Sequence, residues 1–462
     1  MSKTLRPLFR PTEIDDYLKA AIKTADFINQ YIVEVDEETL YFKEVNENKI
    51  EVDLGIYSGN AGIIIFYLEL YKATLDKQYL ETAKKAGNYL IKTLKARDLY
   101  EETLGLLGLE YPKAQWNFTS GYTGIAFVLA EIHKQTHEDK YLQAVETITN
   151  ELLKAAEETT EGIIWTGESG MLADGGILLY LIHISKVYNN DKWHEAALKA
   201  GYHIKSTVKI VDEDKVKFDP FNQKYLAELN GLDPNIAYEW PNWEYGTPGT
   251  AYIMAKLYQE TQDETFLDLA IKGANYVSSI ADPIGENGQL VPYRLPDLSD
   301  LYFMSYCHGP VGDSRVYELL YEITRDDKYR KEVEKFANGI LNTNAPNVHS
   351  EGYWHFYGQC CGTAGMIEFF IDLNKEWPDD KFSKLTYEAG EKILSEGVLD
   401  TDGAKWPQAF WRVDPSHITI DLGYFDGAAG IAVSLIHIYQ AAKGNYDFIN
   451  FPGKPSYQTK NN

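Results

Sequence analysis

The chain repeats one pattern along most of its length: a short turn of mostly small residues that ends in glycine, followed at once by an apolar segment of helical length. The first copy is Gly59-Asn60-Ala61-Gly62 before IIIFYLELY. Further copies begin at Gly121, Ala173, Gly246, Gly309, Gly362 and Gly427. Their spacing of roughly 50 to 75 residues is typical of a repeat architecture.

A second pattern follows each apolar segment except the last. It consists of an acidic residue, a nearby aromatic residue and a segment with charged positions, and it begins at Asp76, Asp139, Asp191, Asp263, Asp327 and Asp380. Each Asp is expected to be the N-cap of a helix. The first segment of a pair is apolar nearly all round and should be buried, whereas the second should lie outside. Each repeat is therefore predicted to be a helical hairpin.

Seven such pairs predict an all-α fold, a seven-fold α/α toroid with inner and outer helix rings in which the first and last repeats meet. Residues 13–33 would supply the outer helix that the last repeat lacks. We expect one domain over residues 1–462, with a repeat core at 50–440 and a polar C-terminal tail at 443–462. A tandem array of separate domains is the alternative.

The irregular segments before the turns are rich in tryptophan. They contain Trp116, Trp165, Trp240, Trp243, Trp354, Trp406 and Trp411. Most of these side chains are expected to cap the apolar core, because a tryptophan buries a large apolar area. One or two could instead line a cleft for a peptide or a sugar.

Composition limits the possible partners. The chain has 44 Lys and Arg against 69 Asp and Glu, a formal charge of −25. Such a charge repels nucleic acids and anionic membranes at long range, so neither is an expected partner. Residues 1–30 contain no signal-peptide core, and no stretch approaches about 18 uncharged apolar residues. We therefore predict a cytoplasmic protein without membrane insertion.

The three cysteines fall in two successive turns: Cys307 in the fifth, and Cys360 and Cys361 in the sixth. An odd, clustered set in a reducing compartment indicates metal binding or catalysis. Neighbouring turns of a toroid should bring all three thiols together. Thiolates with an imidazole nearby suit Zn²⁺, and three protein ligands leave a fourth position open. The alternative is three thiols packed in a core.

Three thiolates predict a particular chemistry for the metal. They make zinc a poor Lewis acid for producing hydroxide but leave it suited to binding a fourth sulfur. Coordination lowers the pKa of an incoming thiol, and the electron-rich ligand set preserves the nucleophilicity of the resulting thiolate. The pattern therefore favours transfer of a thiol to an electrophile.

The turns Tyr306-Cys307-His308-Gly309 and Cys360-Cys361-Gly362 resemble those of the lanthionine synthetase C-like (LanC-like) family, and the resemblance spans residues 50–440. Members of that family are seven-fold α/α toroids whose W-C-[YH]-G and C-H-G turns supply two cysteines and one histidine to zinc. The C-C-G turn resembles a variant with three cysteines. The resemblance thus implies that Cys307, Cys360 and Cys361 are the zinc ligands.

The resemblance also implies a function, that of a stand-alone lanthipeptide cyclase in antibiotic biosynthesis. Zinc would activate a cysteine of a dehydrated precursor peptide for addition to dehydroalanine or dehydrobutyrine, which closes a thioether ring. A lanthipeptide dehydratase would be a separate protein, because the repeats take up nearly all of the chain. His308 stands where the family has Tyr or His, which implies proton transfer, substrate positioning or a supporting hydrogen bond.

The chain departs from the family at three places that concern proton transfer. Tyr245 replaces a histidine, Ser169 replaces an aspartate and Phe303 replaces an arginine. The addition still needs a proton donor, and Tyr245 or His308 could provide one. Two weaker candidates, more simply explained as solvated turn residues, are Glu168 and Asp174.

Three other functions fit parts of the pattern. A thiol transferase of the same fold would add glutathione or another thiol to dehydroamino acids, and a noncatalytic scaffold would keep zinc and bind peptides. A carbohydrate-active α/α toroid would share the aromatic loops but would need paired carboxylates instead of a cysteine-rich site.

Overall fold

A computed structural model describes residues 6–7, 13–45, 52–96, 113–233 and 235–454. The chain divides into two compact units, each built from three segments. The first unit comprises Met1–Glu101, Thr119–Glu151 and Phe356–Ile449, and the second comprises Glu102–Phe118, Leu152–His355 and Asn450–Asn462. The single-domain interpretation stays a prediction, and the part of the predicted tail beyond Lys454 lies outside the described residues.

Each predicted turn opens a helix. These first helices are α2 (Asn60–Thr74), α4 (Tyr122–Thr136), α6 (Asp174–Tyr188), α9 (Thr247–Thr261), α11 (Pro310–Asp313) with its continuation α12 (Arg315–Thr324), α14 (Thr363–Glu376) and α16 (Ala428–Ala442). Their apolar character explains their burial: every residue of α2 from Asn60 to Leu70 is buried.

The second helices are amphipathic. They are α1 (Ile14–Asn29), α3 (Lys77–Ala96), α5 (Asp139–Ala155), α7 (Asp191–Ser206), α10 (Glu264–Ile280), α13 (Asp327–Asn342) and α15 (Asp380–Glu396), and the short α8 (Gln223–Leu229) lies before α9. In α3 the buried residues form one stripe that runs from Tyr79 to Leu94. The predicted hairpins are present in both units, since α2 packs on α3 and α6 packs on α7.

The capping prediction is correct at two positions and wrong at four. Asp76 and Asp263 accept hydrogen bonds from the amides of Gln78 and Thr265, as an N-cap does. The other four predicted caps are instead the first residues of their helices: Asp139, Asp191, Asp327 and Asp380. The residue before three of them is the cap: Asn190, Asp326 and Asp379.

The N-terminal helix completes the last repeat, as predicted from residues 13–33. Helix α1 packs against α16, and α16 also packs against α2, the first helix of the first repeat. The two ends of the repeat array therefore meet within the first unit.

The turn glycines allow close approach of backbones. A Cβ at Gly430 would lie 1.6 Å from the carbonyl oxygen of Tyr424, a distance that no side chain tolerates. The capping glycines have negative φ, −102° at Gly59 and −136° at Gly427, so close backbone approach rather than a left-handed conformation explains glycine in these turns.

Short strands lie in the segments between helices. They are β1 (Arg6–Pro7), β2 (Ile32–Asp36), β3 (Thr39–Phe42), β4 (Glu157–Glu158), β5 (Ile163–Ile164), β6 (Lys209–Ile210), β7 (Val216–Lys217), β8 (Asp282–Pro283), β9 (Gln289–Leu290), β10 (Tyr302–Phe303), β11 (Tyr353–Trp354), β12 (Val398–Asp400), β13 (Gly403–Lys405), β14 (Gln408–Ala409) and β15 (Ile418–Thr419). Strands β10 and β11 pair in parallel, and the other pairs are antiparallel, including β1 with β12.

Most of the tryptophans have the core-capping role that was predicted for them. Five are buried, namely Trp116, Trp165, Trp240, Trp243 and Trp406. Trp354 is half-buried, and Trp411 is 47% exposed. Within the described ranges, no helix has both the length and the apolar character needed to span a bilayer.

Candidate metal centre

Cys307 lies in the loop between β10 and α11 and is buried. The parallel pairing of β10 with β11 continues as a hydrogen bond from the Met304 amide to the Trp354 carbonyl (3.0 Å), which fixes the backbone before the turn. At the turn, the Glu244 amide donates to the Cys307 carbonyl at 3.1 Å. This bond holds the fourth and fifth turns together beside the thiol.

Cys360 and Cys361 are also buried, in the turn before α14. The Cys360 amide donates to the Phe425 carbonyl (3.0 Å), and the Cys361 carbonyl accepts from the Phe356 amide (3.3 Å). These bonds hold the two Sγ atoms 3.6 Å apart.

Within the second unit, one group of described residues could hold a metal ion: Glu244 with Cys307 and His308. One possible ligand atom from each of these residues lies within 4.8 Å of the others. Cys360 and Cys361 belong to the first unit. A sulfur-rich donor set is more typical of bound zinc than this mixed set.

Glu244 was not predicted as a site residue, although the sequence contains a signal for it. Glu244-Tyr245-Gly246 occupies the place in the fourth turn that Cys307-His308-Gly309 occupies in the fifth. The residue two positions before the capping glycine therefore recurs as Glu244 and Cys307. Comparing the turns position by position, rather than by residue type, would have identified it.

Burial favours the neutral forms of the two ionisable groups beside Cys307. It raises the pKa of Glu244 to about 8 and lowers the pKa of His308 to about 3. The imidazole Nδ1 of His308 is buried and has no hydrogen-bond partner among the described residues. A buried polar atom without a hydrogen-bond partner lowers the stability of the folded state, so such an atom is typical of a position kept for function.

The ring of Tyr245 stacks on the imidazole of His308, with 5.1 Å between centroids and 6° between planes. Two further rings contact the imidazole edge-on, those of Tyr293 (5.2 Å) and Phe303 (5.7 Å). Phe303 itself stacks on Tyr293 at 4.3 Å. Phe303 stands where the LanC-like pattern has arginine. It therefore places an aromatic ring against His308 instead of a positive charge.

The expectation of solvated side chains in the third turn is wrong for Asp174, whose carboxylate is bound by the backbone of that turn. Asp174 is buried and accepts hydrogen bonds from the amides of Trp165, Thr166 and Gly167 and from the Thr166 hydroxyl. Glu168 is half-buried, and burial followed by the charge of Asp174 raises its pKa to about 7. Ser169 is buried.

Helical hairpins opened by tight turns, with cysteines and a histidine on those turns, define a helical repeat protein with a candidate metal centre. Residues 50–173, 174–386 and 307–450 match the family described as lanthionine synthetase C-like protein, and the chain belongs to this family.

Two known proteins illustrate the relationship. The structure of "Nisin cyclase" is similar with a TM-score of 0.60 and 17% sequence identity, over 86% of this chain and 92% of that one. At this identity the likeness concerns the fold, and it confirms the predicted all-α, seven-fold α/α toroid. The Danio rerio protein "Glutathione S-transferase LANCL1" is 22% identical over 399 residues, which cover 84% of this chain and 83% of that protein.

Proposed function

We propose that the protein is a zinc-dependent lanthipeptide cyclase. It adds a cysteine thiolate of a dehydrated precursor peptide to dehydroalanine or dehydrobutyrine, and so forms a lanthionine or methyllanthionine ring. The observation that carries this proposal is that Cys307, Cys360 and Cys361 are buried in helix-opening turns of a chain of the lanthionine synthetase C-like family.

Cys307, Cys360 and Cys361 would hold the zinc ion. The donors fit, because thiolates are preferred zinc ligands and three protein ligands leave a position for a substrate sulfur. Bound zinc supplies one effect, a lowered pKa of the incoming thiol.

Residues of the chain would then supply the proton that the α-carbon of the product needs. The peptide sulfur bonds to the β-carbon, the carbon–carbon double bond opens, and the α-carbon must receive a proton. We assign this donation to the Tyr245 hydroxyl or the His308 imidazole, which are stacked together beside Cys307. The thiol proton leaves to solvent and the donor residue regains a proton from solvent, so the overall reaction is an isomerisation of the peptide.

The dehydrated precursor is the proposed partner, and a separate dehydratase would supply it. We place the reaction in the cytoplasm, where free thiols persist. The acidic chain has no feature that favours nucleic-acid binding.

The test uses the zinc-loaded full-length chain and a dehydrated precursor. We expect one free thiol to be consumed per ring, with no change in peptide mass. A precursor whose cysteines are alkylated should remain unchanged. An unaltered thiol titre with the intact precursor would contradict the proposal.

A second candidate is addition of glutathione to dehydroamino acids, and the similarity to the Danio rerio protein named as a glutathione S-transferase favours it. A cysteine-free peptide that contains dehydroalanine separates the two activities. With glutathione present, a gain of one glutathione mass supports the transferase, whereas thiol loss only within cysteine-containing peptides supports the cyclase.

A further inference from the structure

An acidic cavity lies between the first and seventh turns, within the first unit. Its volume is about 60 Å³, and its lining includes Asp53, Ser58, Asp421 and Asp426. The end of β3 and the residues after it, 42–45, form another part of the wall. All of these residues lie outside the candidate metal centre.

Asp426 is the most constrained carboxylate of this cavity. It is 8% exposed, and its Oδ1 is buried without a hydrogen-bond partner among the described residues. Its Oδ2 accepts a hydrogen bond from the Ser58 hydroxyl, and its carbonyl accepts one from Gln408. The side chain is therefore fixed while one oxygen remains unmatched, an arrangement that is costly unless something binds there.

The cavity also concentrates negative charge. Burial, followed by the charge of Asp421, raises the pKa of Asp426 well above its usual range, and Asp53 adds to this effect. Asp421 accepts from the Thr419 hydroxyl (2.6 Å), and Asp53 accepts from the Gly55 amide (2.8 Å). These donors help to hold the two carboxylates in place. Lys43 contributes to the lining but is itself exposed.

We propose that this cavity binds a divalent cation, Ca²⁺ in preference to Zn²⁺, through Asp421 and Asp426 with Ser58 and water completing the coordination. Carboxylate, hydroxyl and water oxygens are the ligands that Ca²⁺ takes, in irregular arrangements. The described lining residues include no cysteine or histidine, which zinc would favour. The volume exceeds the space of one water, so a partly hydrated ion fits.

The position of the cavity gives the ion a structural effect. Ser58 precedes α2, the first helix of the first repeat, and Asp426 precedes α16, the first helix of the last repeat. A cation bound to both turns would therefore join the two ends of the repeat array. Because it would bind the folded chain alone, it should raise the unfolding temperature.

The test is a calorimetric titration of Ca²⁺ into the zinc-loaded full-length protein, with Mg²⁺ titrated in parallel. We expect one Ca²⁺ per chain and an increase in unfolding temperature. Asp426→Asn and Asp421→Asn should each weaken binding roughly tenfold or more. Asp214→Asn is the matched control, because Asp214 is exposed on the turn after β6, and it should bind as the wild type does.

The proposal is wrong if neither cation binds at roughly millimolar concentration, or if both variants bind Ca²⁺ as tightly as the wild type. Should Asp426→Asn fail to fold, Asp421→Asn and Ser58→Ala carry the same comparison. A Cys361→Ala chain should still bind Ca²⁺. This result separates the outcome from that of the cyclase proposal, which depends on the thiols.

Discussion

The ring of Tyr245 lies face to face with the imidazole of His308, 5.1 Å away and tilted by 6°. Each residue directly precedes a glycine that caps a helix, Gly246 for α9 and Gly309 for α11. The same turn position, used in two successive repeats, thus brings a phenol and an imidazole together next to Cys307. This relationship leads to the first prediction.

Whichever of Tyr245→Phe and His308→Ala removes the proton donor should slow ring formation by about 100-fold, the usual scale of a lost general acid, while the zinc content stays unchanged. Tyr245→Phe keeps the stacked ring and removes only the hydroxyl, so it tests proton donation rather than packing. The measurements are kcat with a dehydrated precursor and metal content per chain. Tyr293→Phe, which alters another ring against His308, should stay near the wild-type rate. Wild-type rates in both test variants would exclude these residues as donors.

The ligand set can be tested by metal content. The proposed zinc ligands and the group of Glu244 with His308 share Cys307, but Cys361 belongs only to the proposed set and Glu244 only to the other. We expect about one zinc per wild-type chain, loss of zinc in Cys361→Ala and retention in Glu244→Gln, because thiolates bind zinc more strongly than the mixed set. Full zinc in Cys361→Ala with loss in Glu244→Gln would reverse the assignment.

The sequence predicted local features well, and features that depend on distant contacts poorly. The turn before α2 is visible because glycine spacing and an apolar run are local signals. The caps at Asn190 and Asp326 were missed by one residue, because neighbouring polar residues compete for the same role. The contact of Glu244 with Cys307 depends on two repeats folding together, which no local pattern encodes.

The inner helix of the fifth repeat shows the same limit. An uninterrupted apolar helix was expected there, but α11 ends at Asp313 and α12 begins at Arg315. The guanidinium of Arg315 lies over the rings of Tyr306 (4.5 Å) and Trp243 (5.3 Å) and donates to the Gly453 carbonyl (2.9 Å). Partners so distant in sequence decide the position of a charged residue that the helical pattern alone leaves unexplained.

Close backbone packing at the turns makes Gly430→Ala a sharp test of the fold. The added methyl would lie 1.6 Å from the Tyr424 carbonyl oxygen, so the turn would have to move. We expect a loss of about 1 to 3 kcal/mol in the free energy of unfolding, measured in urea. Gly453→Ala is the control, because the nearest atom to its methyl would be the flexible end of Met171 at 3.2 Å. Equal stability of the two variants would show that the turn is not tightly packed.

A buried ionic group in the first unit joins three helices to the C-terminal segment. His437 of α16 pairs with Glu368 of α14 (2.7 Å) and Glu69 of α2 (3.5 Å). The Ile449 amide donates to Glu69, and the Phe448 ring stacks on His437 at 3.9 Å. Burial alone would lower the pKa of His437, but the charges and hydrogen bonds of the two glutamates outweigh it and raise the pKa to about 9.

A raised pKa stabilises the folded state while the histidine is charged. This contribution is fully present below the ordinary value of 6.5 and is lost as the pH rises through about 9. The shift corresponds to a loss on the order of 3 kcal/mol in the free energy of unfolding. We expect wild-type stability, measured in urea, to fall by this amount between about pH 6 and about pH 10. At the lower pH, His437→Gln should have a smaller free energy of unfolding than the wild type. As the pH rises, that free energy should fall less in the variant than in the wild type.

His417→Gln is the control for that comparison, because His417 is exposed, and its stability profile should follow the wild type. If His437→Gln does not fold, Glu368→Gln replaces it, since removing the nearest negative charge should lower the pKa of His437 and move the loss of stability to lower pH. The same fall in His437→Gln as in the wild type would mean that other groups cause the pH dependence, and that the Glu368–His437–Glu69 group does not hold the C-terminal segment by charge.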